Sequence, residues 1–147
     1  MSIADPSTYA KLPKGTRFLF GELAAETANL KLLKDATAIG STGKAGTFID
    51  VTRLIDLEYK SMADDAEGPE KEFIFLDDPS DADLQAFLVK ADENGAVKVR
   101  IEFPNNRWAD MEIVLAGWSL QELEKGKPMM IVVTAKQNGI QRGITTP

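Results

Sequence analysis

The clearest hydrophobic pattern in the chain is that of an amphipathic helix. Four apolar residues recur at i, i+3, i+4 and i+7 and would form one stripe: Leu84, Phe87, Leu88 and Ala91. We expect the helix to begin at Ser80, whose side-chain oxygen can accept a hydrogen bond from the backbone N–H of Asp83. Pro79 disfavours helical backbone just upstream, and Asn94-Gly95 supplies residue types that commonly end helices.

Immediately after this helix the hydrophobic period changes to every second residue. Val97, Val99, Ile101 and Phe103 alternate with charged residues, which is typical of a strand with one buried and one solvated face. The next four residues, Pro-Asn-Asn-Arg, have the composition of a turn, and residues 108–118 would form the partner strand. The sequence therefore predicts a β-hairpin directly after the helix.

Alternation predicts further strands elsewhere in the chain. The longest is residues 48–59, where one set of apolar side chains would face the core: Ile49, Val51, Ile55, Leu57 and Tyr59. Shorter runs predict strands at residues 16–23, 72–76 and 128–136.

The remaining segments connect or flank these strands. Residues 24–47 are predicted to be an excursion between strands, and residues 60–71 a charged loop. Residues 1–15 would be a flexible N-terminal arm and residues 138–147 a polar C-terminal tail. At 147 residues the chain fits a single domain. We expect a mainly β fold, a β-sandwich or partly closed antiparallel barrel, with one α-helix packed at its end.

Two predicted strands, at residues 111–118 and 129–135, carry apolar residues on both faces. Their outward-facing apolar residues are Val114, Ala116, Trp118, Met130 and Val132. A strand that is apolar on both faces is usually covered on both sides. The cover is either the helix together with residues 24–47, or another copy of the chain, because large exposed apolar patches usually mark association sites.

Charge is distributed unevenly along the chain. The formal net charge is −6, from 17 basic and 23 acidic residues. Residues 58–83 hold ten of the acidic residues and only two lysines. This run is either a solvated surface or a face that repels nucleic acid or meets a basic partner. Tight binding to a nucleic-acid backbone requires a basic footprint, which the sequence lacks.

The composition removes most catalytic and metal-binding chemistry. The chain has neither cysteine nor histidine, so the usual general base, nucleophile pairs and zinc ligands are missing. The acidic stretch DDPSDAD (residues 77–83) fails the calcium-loop spacing, because Pro79 and Ala82 fall where a ligand and a glycine are required. GSTGKAGT (residues 40–47) fails the phosphate-loop spacing. We therefore predict no active site, no metal site and no cofactor.

The sequence contains no recognisable targeting or membrane-spanning segment. The N-terminal residues lack a basic-then-apolar signal pattern. No apolar run approaches the roughly 20 residues needed to cross a bilayer. We expect a soluble protein of the cytosol with no membrane partner.

The helix and hairpin resemble a known family. In LQAFLVKADENGAVKVRIEFPNNRWADMEIVLAGW (residues 84–118), a helix ends in an acidic, glycine-containing turn. The next strand ends in Phe103-Pro104-Asn105, and the return strand closes with Gly117-Trp118. This order is similar to that of the major tail tube proteins of long, non-contractile-tailed bacteriophages. The resemblance covers residues 48–137. The same tube-protein fold is used by the haemolysin-coregulated protein of type VI secretion.

The resemblance implies a structural virion protein that is not an enzyme. Its subunits would form hexameric rings that stack into the tail tube, a conduit for DNA ejection. Implied partners are further copies of itself, other tail proteins (tape measure, terminator and distal tail proteins) and DNA in passage. It would be made in the host bacterial cytoplasm and reside in the virion tail. The alternatives are another phage or type VI ring component, such as a tail terminator, or a monomeric β-sandwich binding module.

Three sets of residues are candidates for contacts in such an assembly. The subunit interface would use Val114, Ala116, Trp118, Met130, Val132, Tyr9 and Leu12. The ring-stacking loop would use Asp64, Asp65, Glu67, Gly68 and Glu70. The polar face of the hairpin would look toward the lumen with Lys98, Arg100, Glu102, Asp110 and Glu112.

Overall fold

The computed structural model describes residues 3, 5–8, 14–40, 42–43, 46–64 and 70–145. Short 3-10 turns occur at Pro6–Thr8 and Thr27–Asn29. In chain order the regular elements are β1 (Arg17–Gly21), β2 (Lys31–Leu32), β3 (Ala36–Ala38), β4 (Phe48–Asp50), β5 (Ser61–Ala63), β6 (Glu70–Leu76), α1 (Ala82–Asp92), β7 (Ala96–Glu102), β8 (Arg107–Leu120) and β9 (Met130–Ile144).

Seven of these strands form one antiparallel sheet, curled into a half-barrel, in the order β2-β1-β7-β8-β9-β6-β3. The other two, β4 and β5, form a separate two-stranded sheet. The sequence prediction of a mainly β fold, partly closed as a barrel and carrying one helix, is confirmed. The helix in the described part of the chain is too short and too polar to cross a membrane.

The core lies between α1 and one face of the curled sheet. The predicted helical stripe is buried, and it packs in one cluster with the alternating apolar residues of β7 and their neighbours on β8, β9 and β6. Phe87 is at the centre of this cluster. Its ring lies edge-on to Phe18, Phe20 and Phe75, with centroids 5.9, 5.1 and 5.6 Å away. Edge-to-face pairs of this kind add to the stabilisation that burial provides.

The helix begins one residue later than predicted, because Asp81 and not Ser80 is its N-cap. One carboxylate oxygen of Asp81 accepts hydrogen bonds from the backbone N–H groups of Asp83 and Leu84, at 3.1 and 3.5 Å. Ser80 is instead engaged by Asp78, which accepts bonds from its backbone N–H at 3.1 Å and its hydroxyl at 2.6 Å. Two adjacent residues could each have capped this helix, and the turn made by Asp78 decides between them.

A bulge in β8 moves Trp118 to the opposite side of the sheet from the predicted one. Leu115 pairs with Ala135 and Trp118 with Val133, so β8 uses three steps where β9 uses two. Gly117, with φ +84°, accommodates the extra residue in a backbone conformation that side chains disfavour. Trp118 therefore lies on the helix side, where its indole N–H donates to a carboxylate oxygen of Asp92 at 3.2 Å.

The C-terminal strand is longer than predicted. The segment expected to be a polar tail continues β9 to Ile144, which pairs with Arg107 at the start of β8. Polar side chains do not prevent this, because the long partner strand β8 offers backbone hydrogen bonds along its whole length. β6 likewise begins at Glu70, inside the segment predicted as a charged loop.

The strands in the first half of the chain also differ from the predictions. The strand expected at residues 16–23 is confined to β1, and residues 24–47 contain β2 and β3, at the two edges of the sheet. The prediction that residues 48–59 form a core-facing strand is wrong. Only Phe48–Asp50 is a strand there, and it pairs with Ser61–Ala63, a strand inside the predicted loop.

Replacing Asp81 tests the helix cap. Asp81→Ala removes the acceptor for two backbone N–H groups, and we expect it to lower the free energy of unfolding by about 1 kcal/mol. Asp81→Asn removes the same charge but keeps a capping oxygen, so it should cost much less. Urea unfolding followed by circular dichroism measures both variants.

Ser80→Ala is the matched control. Its hydroxyl donates a solvent-exposed hydrogen bond to the half-buried Asp78, so we expect the free energy of unfolding to stay within about 0.5 kcal/mol of the original. Equal losses in Ser80→Ala and Asp81→Ala would contradict the assignment of the cap.

Candidate assembly surfaces

Residues 47–64 form a hairpin outside the main sheet. From here on we call this hairpin the arm; it is not the N-terminal segment of residues 1–15. Its strands β4 and β5 pair with each other in antiparallel register. A further backbone bond from the Val51 N–H to the Lys60 carbonyl, at 3.0 Å, continues this ladder. Residues 53–59 therefore form the apex of the arm.

Local polar contacts give the apex a defined shape. The Asp50 carboxylate accepts a hydrogen bond from the Thr52 N–H at 2.9 Å. The Arg53 guanidinium donates to Asp56 at 2.9 and 3.3 Å, and the Arg53 backbone N–H donates to the same carboxylate at 2.9 Å. These bonds from Arg53, of which the side-chain ones have the larger effect, hold the pKa of Asp56 below its ordinary value.

The large apolar side chains of the arm are exposed, contrary to the prediction that its alternating set faces a core. Leu54 and Leu57 have exposures of 108% and 101%, and Tyr59 of 91%. A two-stranded hairpin is at best marginally stable alone, and apolar exposure on this scale marks a surface that associates. The other exposed apolar residues of the arm are Phe48, Ile49, Val51, Ile55 and Met62.

The five residues predicted to face a lumen share one face of β7 and β8, on the side of the sheet away from α1. The cross-strand register places Lys98 opposite Glu112 and Arg100 opposite Asp110, and Glu102 completes the set. Their side chains alternate with the buried ones along β7. The predicted grouping is therefore present, while its relation to a lumen stays a prediction.

The cations of this face are engaged by neighbouring oxygens. Arg100 donates to Glu102 at 3.1 Å and to both carboxylate oxygens of Asp110 at 3.2 Å. Glu102 also accepts a bond from Arg17 at 3.0 Å. The ammonium of Lys98 donates to the Ala25 carbonyl at 3.2 Å. The face is thus rich in charge but close to electrically balanced.

Trp108 covers the charge cluster from one side. The Arg100 guanidinium lies 4.7 Å from the centroid of the Trp108 ring. At this distance the cation and the ring attract each other in a cation–π interaction. The ring rests on Gly143, where a Cβ atom would lie only 2.5 Å from the ring atom Cζ2. Glycine at this position therefore permits the stacked arrangement.

The residues predicted for a subunit interface are divided by the structure. Val114, Met130 and Val132 are half-buried and Ala116 is exposed, on the face away from α1. The placement of Trp118 on that same face is wrong, because the bulge in β8 turns it toward Asp92. The role of these residues at an interface stays a prediction.

Several predicted residues lie outside the described part of the chain. These are Tyr9 and Leu12 of the interface set and Asp65, Glu67 and Gly68 of the ring-stacking set. Asp64 and Glu70 are described and exposed, one at the base of the arm and the other at the first residue of β6.

Three carboxylates come together where the turn before α1 meets the turn before β3. One carboxylate oxygen from each of Asp35, Asp78 and Asp81 lies within 4.8 Å of the other two. Asp78 is engaged by Ser80 and by Lys34, and the side-chain bond from Ser80 is the main cause of its lowered pKa. Asp81 caps the helix. Helix capping and local turns thus account for the placement of the acidic stretch.

A cleft of about 390 Å³ opens where β7 turns into β8. Apolar groups contribute most of its lining, and two arginines border it. Neither arginine forms an ion pair with any residue that the structure describes. Sequence patterns could not predict this cleft, because it joins segments far apart in the chain. Its residues include Phe103, Pro104, Arg107, Trp108, Ala109 and Arg142.

The model of the phage tail tube protein family matches residues 11–145, which is most of the chain. The chain belongs to the phage tail tube protein family. The resemblance seen in the helix and hairpin is thereby confirmed, and the protein is a structural component of a phage tail. No curated protein sequence matches this tail tube protein.

Solved structures of tail and injection machines share the fold. The SPP1 tail tube protein is 10% identical with a TM-score of 0.64, covering 90% of this chain and 78% of that one. A subunit in the tail of a gene transfer agent particle, refined with C6 symmetry, is 10% identical with a TM-score of 0.66, covering 93% and 100%. A subunit of the sheath–tube complex of the extracellular contractile injection system PVC is 8% identical with a TM-score of 0.67, covering 98% and 100%.

Gly143→Ala tests the packing of Trp108 in this tail tube protein. The new methyl group would displace the ring from Arg100, and we expect a loss of about 1–3 kcal/mol in the free energy of unfolding. A Trp118→Phe background leaves Trp108 as the single tryptophan, so its fluorescence reports the displacement directly.

Gly139→Ala is the control for this substitution. Its Cβ would lie 4.0 Å from a carboxylate oxygen of Glu112, an ordinary contact distance. An unchanged emission spectrum and unchanged stability in Gly143→Ala would contradict the proposed packing.

Proposed function

We propose that this protein assembles into hexameric rings that stack into the phage tail tube through which DNA leaves the virion. The exposed apolar arm is the observation that carries the proposal, because a hairpin without a core of its own gains stability only by packing on another surface. The C6 symmetry of the similar gene transfer agent tail supports six subunits in a ring. Six spheres on the scale of a 147-residue domain would leave a central hole roughly 38 Å across.

The arm is proposed to link one ring to the next. The prediction from sequence assigned stacking to the charged loop at residues 60–71. The exposed leucines of the apex lead us to extend the proposed surface to residues 47–64. The apex keeps its shape through the Arg53–Asp56 pair. Such a preformed element loses little conformational entropy when it binds.

The charged face of β7 and β8 is proposed to line the lumen. Arg100 is held by Glu102 and Asp110, so its guanidinium is occupied before any phosphate approaches. A duplex in transit would meet a surface without free clusters of cations, and non-specific binding to phosphates depends on such clusters. This arrangement supports passage of DNA without retention.

Lateral contacts within a ring are proposed to use Val114, Ala116, Met130 and Val132, on the face away from α1. The free edges of the sheet, at β2 and β3, would pair or be covered in the same assembly.

Beyond copies of itself, the proposed partners are the tape measure, terminator and distal tail proteins. Synthesis in the host cytoplasm would precede incorporation into the virion, and the proposal includes no catalytic role.

A tail terminator is the second candidate. A subunit in the structure of the PVC sheath/tube terminator has a similar fold, with a TM-score of 0.68 and 7% identity. A terminator would form one ring and no filament. Negative-stain microscopy of the purified protein at high concentration separates the candidates, because tubes support the proposal, single rings support a terminator and monomers support a binding module.

Charging the apex of the arm is expected to abolish tubes. Leu54→Asp combined with Leu57→Asp places two carboxylates where the proposal requires apolar contact, and desolvating them opposes docking. Both side chains are fully exposed, so the subunit should keep its circular dichroism spectrum and unfolding midpoint. Leu123→Asp, at an exposed leucine outside the arm, is the control. Tubes of normal length and yield from the double variant would refute the role of the arm.

Val114→Asp tests the lateral interface in the same assay. A carboxylate on the half-buried outer face of β8 should block polymerisation and leave a folded monomer, as sedimentation velocity would show. Val89→Asp, at an exposed valine of α1, introduces the same group elsewhere and should form tubes. Normal tubes from Val114→Asp would exclude this face as an interface.

A further inference from the structure

We propose that the cleft beside the β7–β8 turn is the receptor for the apex of the arm from a second copy of the chain. This inference rests on the proposed self-assembly and adds to it the site at which one subunit holds another. The two surfaces match in polarity and in charge, and their charged groups have no ion-pair partner in the described part of the chain.

The apex supplies apolar side chains that need a site. Leu54, Ile55 and Leu57 are 108%, 80% and 101% exposed. These values also show that the apex does not occupy the cleft of its own subunit. The cleft lies within the range of roughly 300–1,000 Å³ that suits binding pockets, and Phe103, Pro104 and Trp108 contribute to its lining.

Charge favours the same pairing. Arg107 and Arg142 border the cleft, and neither forms an ion pair with a described residue. At the apex, Arg53 forms an ion pair with Asp56. The other carboxylate there, the exposed Glu58 beside Leu57, has no ion-pair partner among the described residues. The proposed contact thus brings together an apolar apex with one carboxylate and a mainly apolar cleft with two arginines, all three without an ion-pair partner among the described residues. Complementary charges at a rim fix the orientation of docking.

Cross-linking tests the contact directly, because the chain has no cysteine of its own. One protein carries Leu57→Cys in the apex and a second carries Asn105→Cys at the cleft, and the two are mixed during assembly. A disulfide requires Cα atoms within about 7 Å, so only docking of the apex at the cleft gives an efficient bond between the two proteins. Non-reducing gel electrophoresis measures the bonded fraction, and Leu57→Cys mixed with Leu123→Cys is the control.

The outcomes separate this inference from the proposed function. Tubes with at least tenfold more disulfide than the control support the receptor site. Tubes with no excess disulfide overturn it and leave the proposed function standing. Unmutated protein that never forms tubes refutes the proposed function itself. A disulfide formed within isolated monomers that carry Leu57→Cys and Asn105→Cys together would also overturn the inference, because it would place the apex in its own cleft.

A charge exchange gives a second, independent readout. Arg142→Glu and Glu58→Arg should each lower the fraction of protein in tubes, measured by pelleting at low salt, by about tenfold. Combining the two substitutions again places opposite charges at the two positions, with their signs exchanged. The double variant should therefore recover most of the assembly. Additive loss in the double variant, with each subunit folded by circular dichroism, would overturn the proposed pairing.

Discussion

A single helix of 11 residues covers the apolar face of a seven-stranded sheet, and the fold depends on that contact. Phe87 enters a group of aromatic rings drawn from β1 and β6, so strands distant in sequence are held to one helix. Because α1 is the one long helix of the described chain, a single subunit has little material with which to cover the other face. The remaining surfaces are therefore stabilised by charge pairing or are left for other subunits.

These two solutions divide the surface between them. On the outer face of β7 and β8, Arg100 lies between two carboxylates and an indole, and the many charges of this face nearly balance. In the arm, eight large apolar side chains are exposed, and Leu54 and Leu57 are fully so. A surface whose charges are paired has little attraction for polyanions, whereas an exposed apolar surface is the kind that proteins bury between them.

Sequence reasoning succeeded where structure is decided locally. The stripe through Phe87 and the alternation of β7 both predict the buried residues correctly, because each period fixes which side chains share a face. It failed where the outcome depends on distant parts of the chain. The arm has the alternation of a core strand, but alternation does not show whether anything covers the apolar side. The cleft beside Arg142 likewise forms only when separate segments meet, and the cap at Asp81 depended on which of two acceptors the turn before it left free.

The bulge at Gly117 bears on how this strand can change during evolution. Side chains along β8 can be exchanged for others of similar polarity without altering which of them point inward. Loss of one residue between Leu115 and Trp118 would instead exchange the two faces for the rest of the strand. Related phages are therefore expected to diverge widely in the composition of β8 while keeping its residue count, and to concentrate insertions in the turns at its ends. We therefore expect the length of β8 to be inherited more strictly than the identity of its residues.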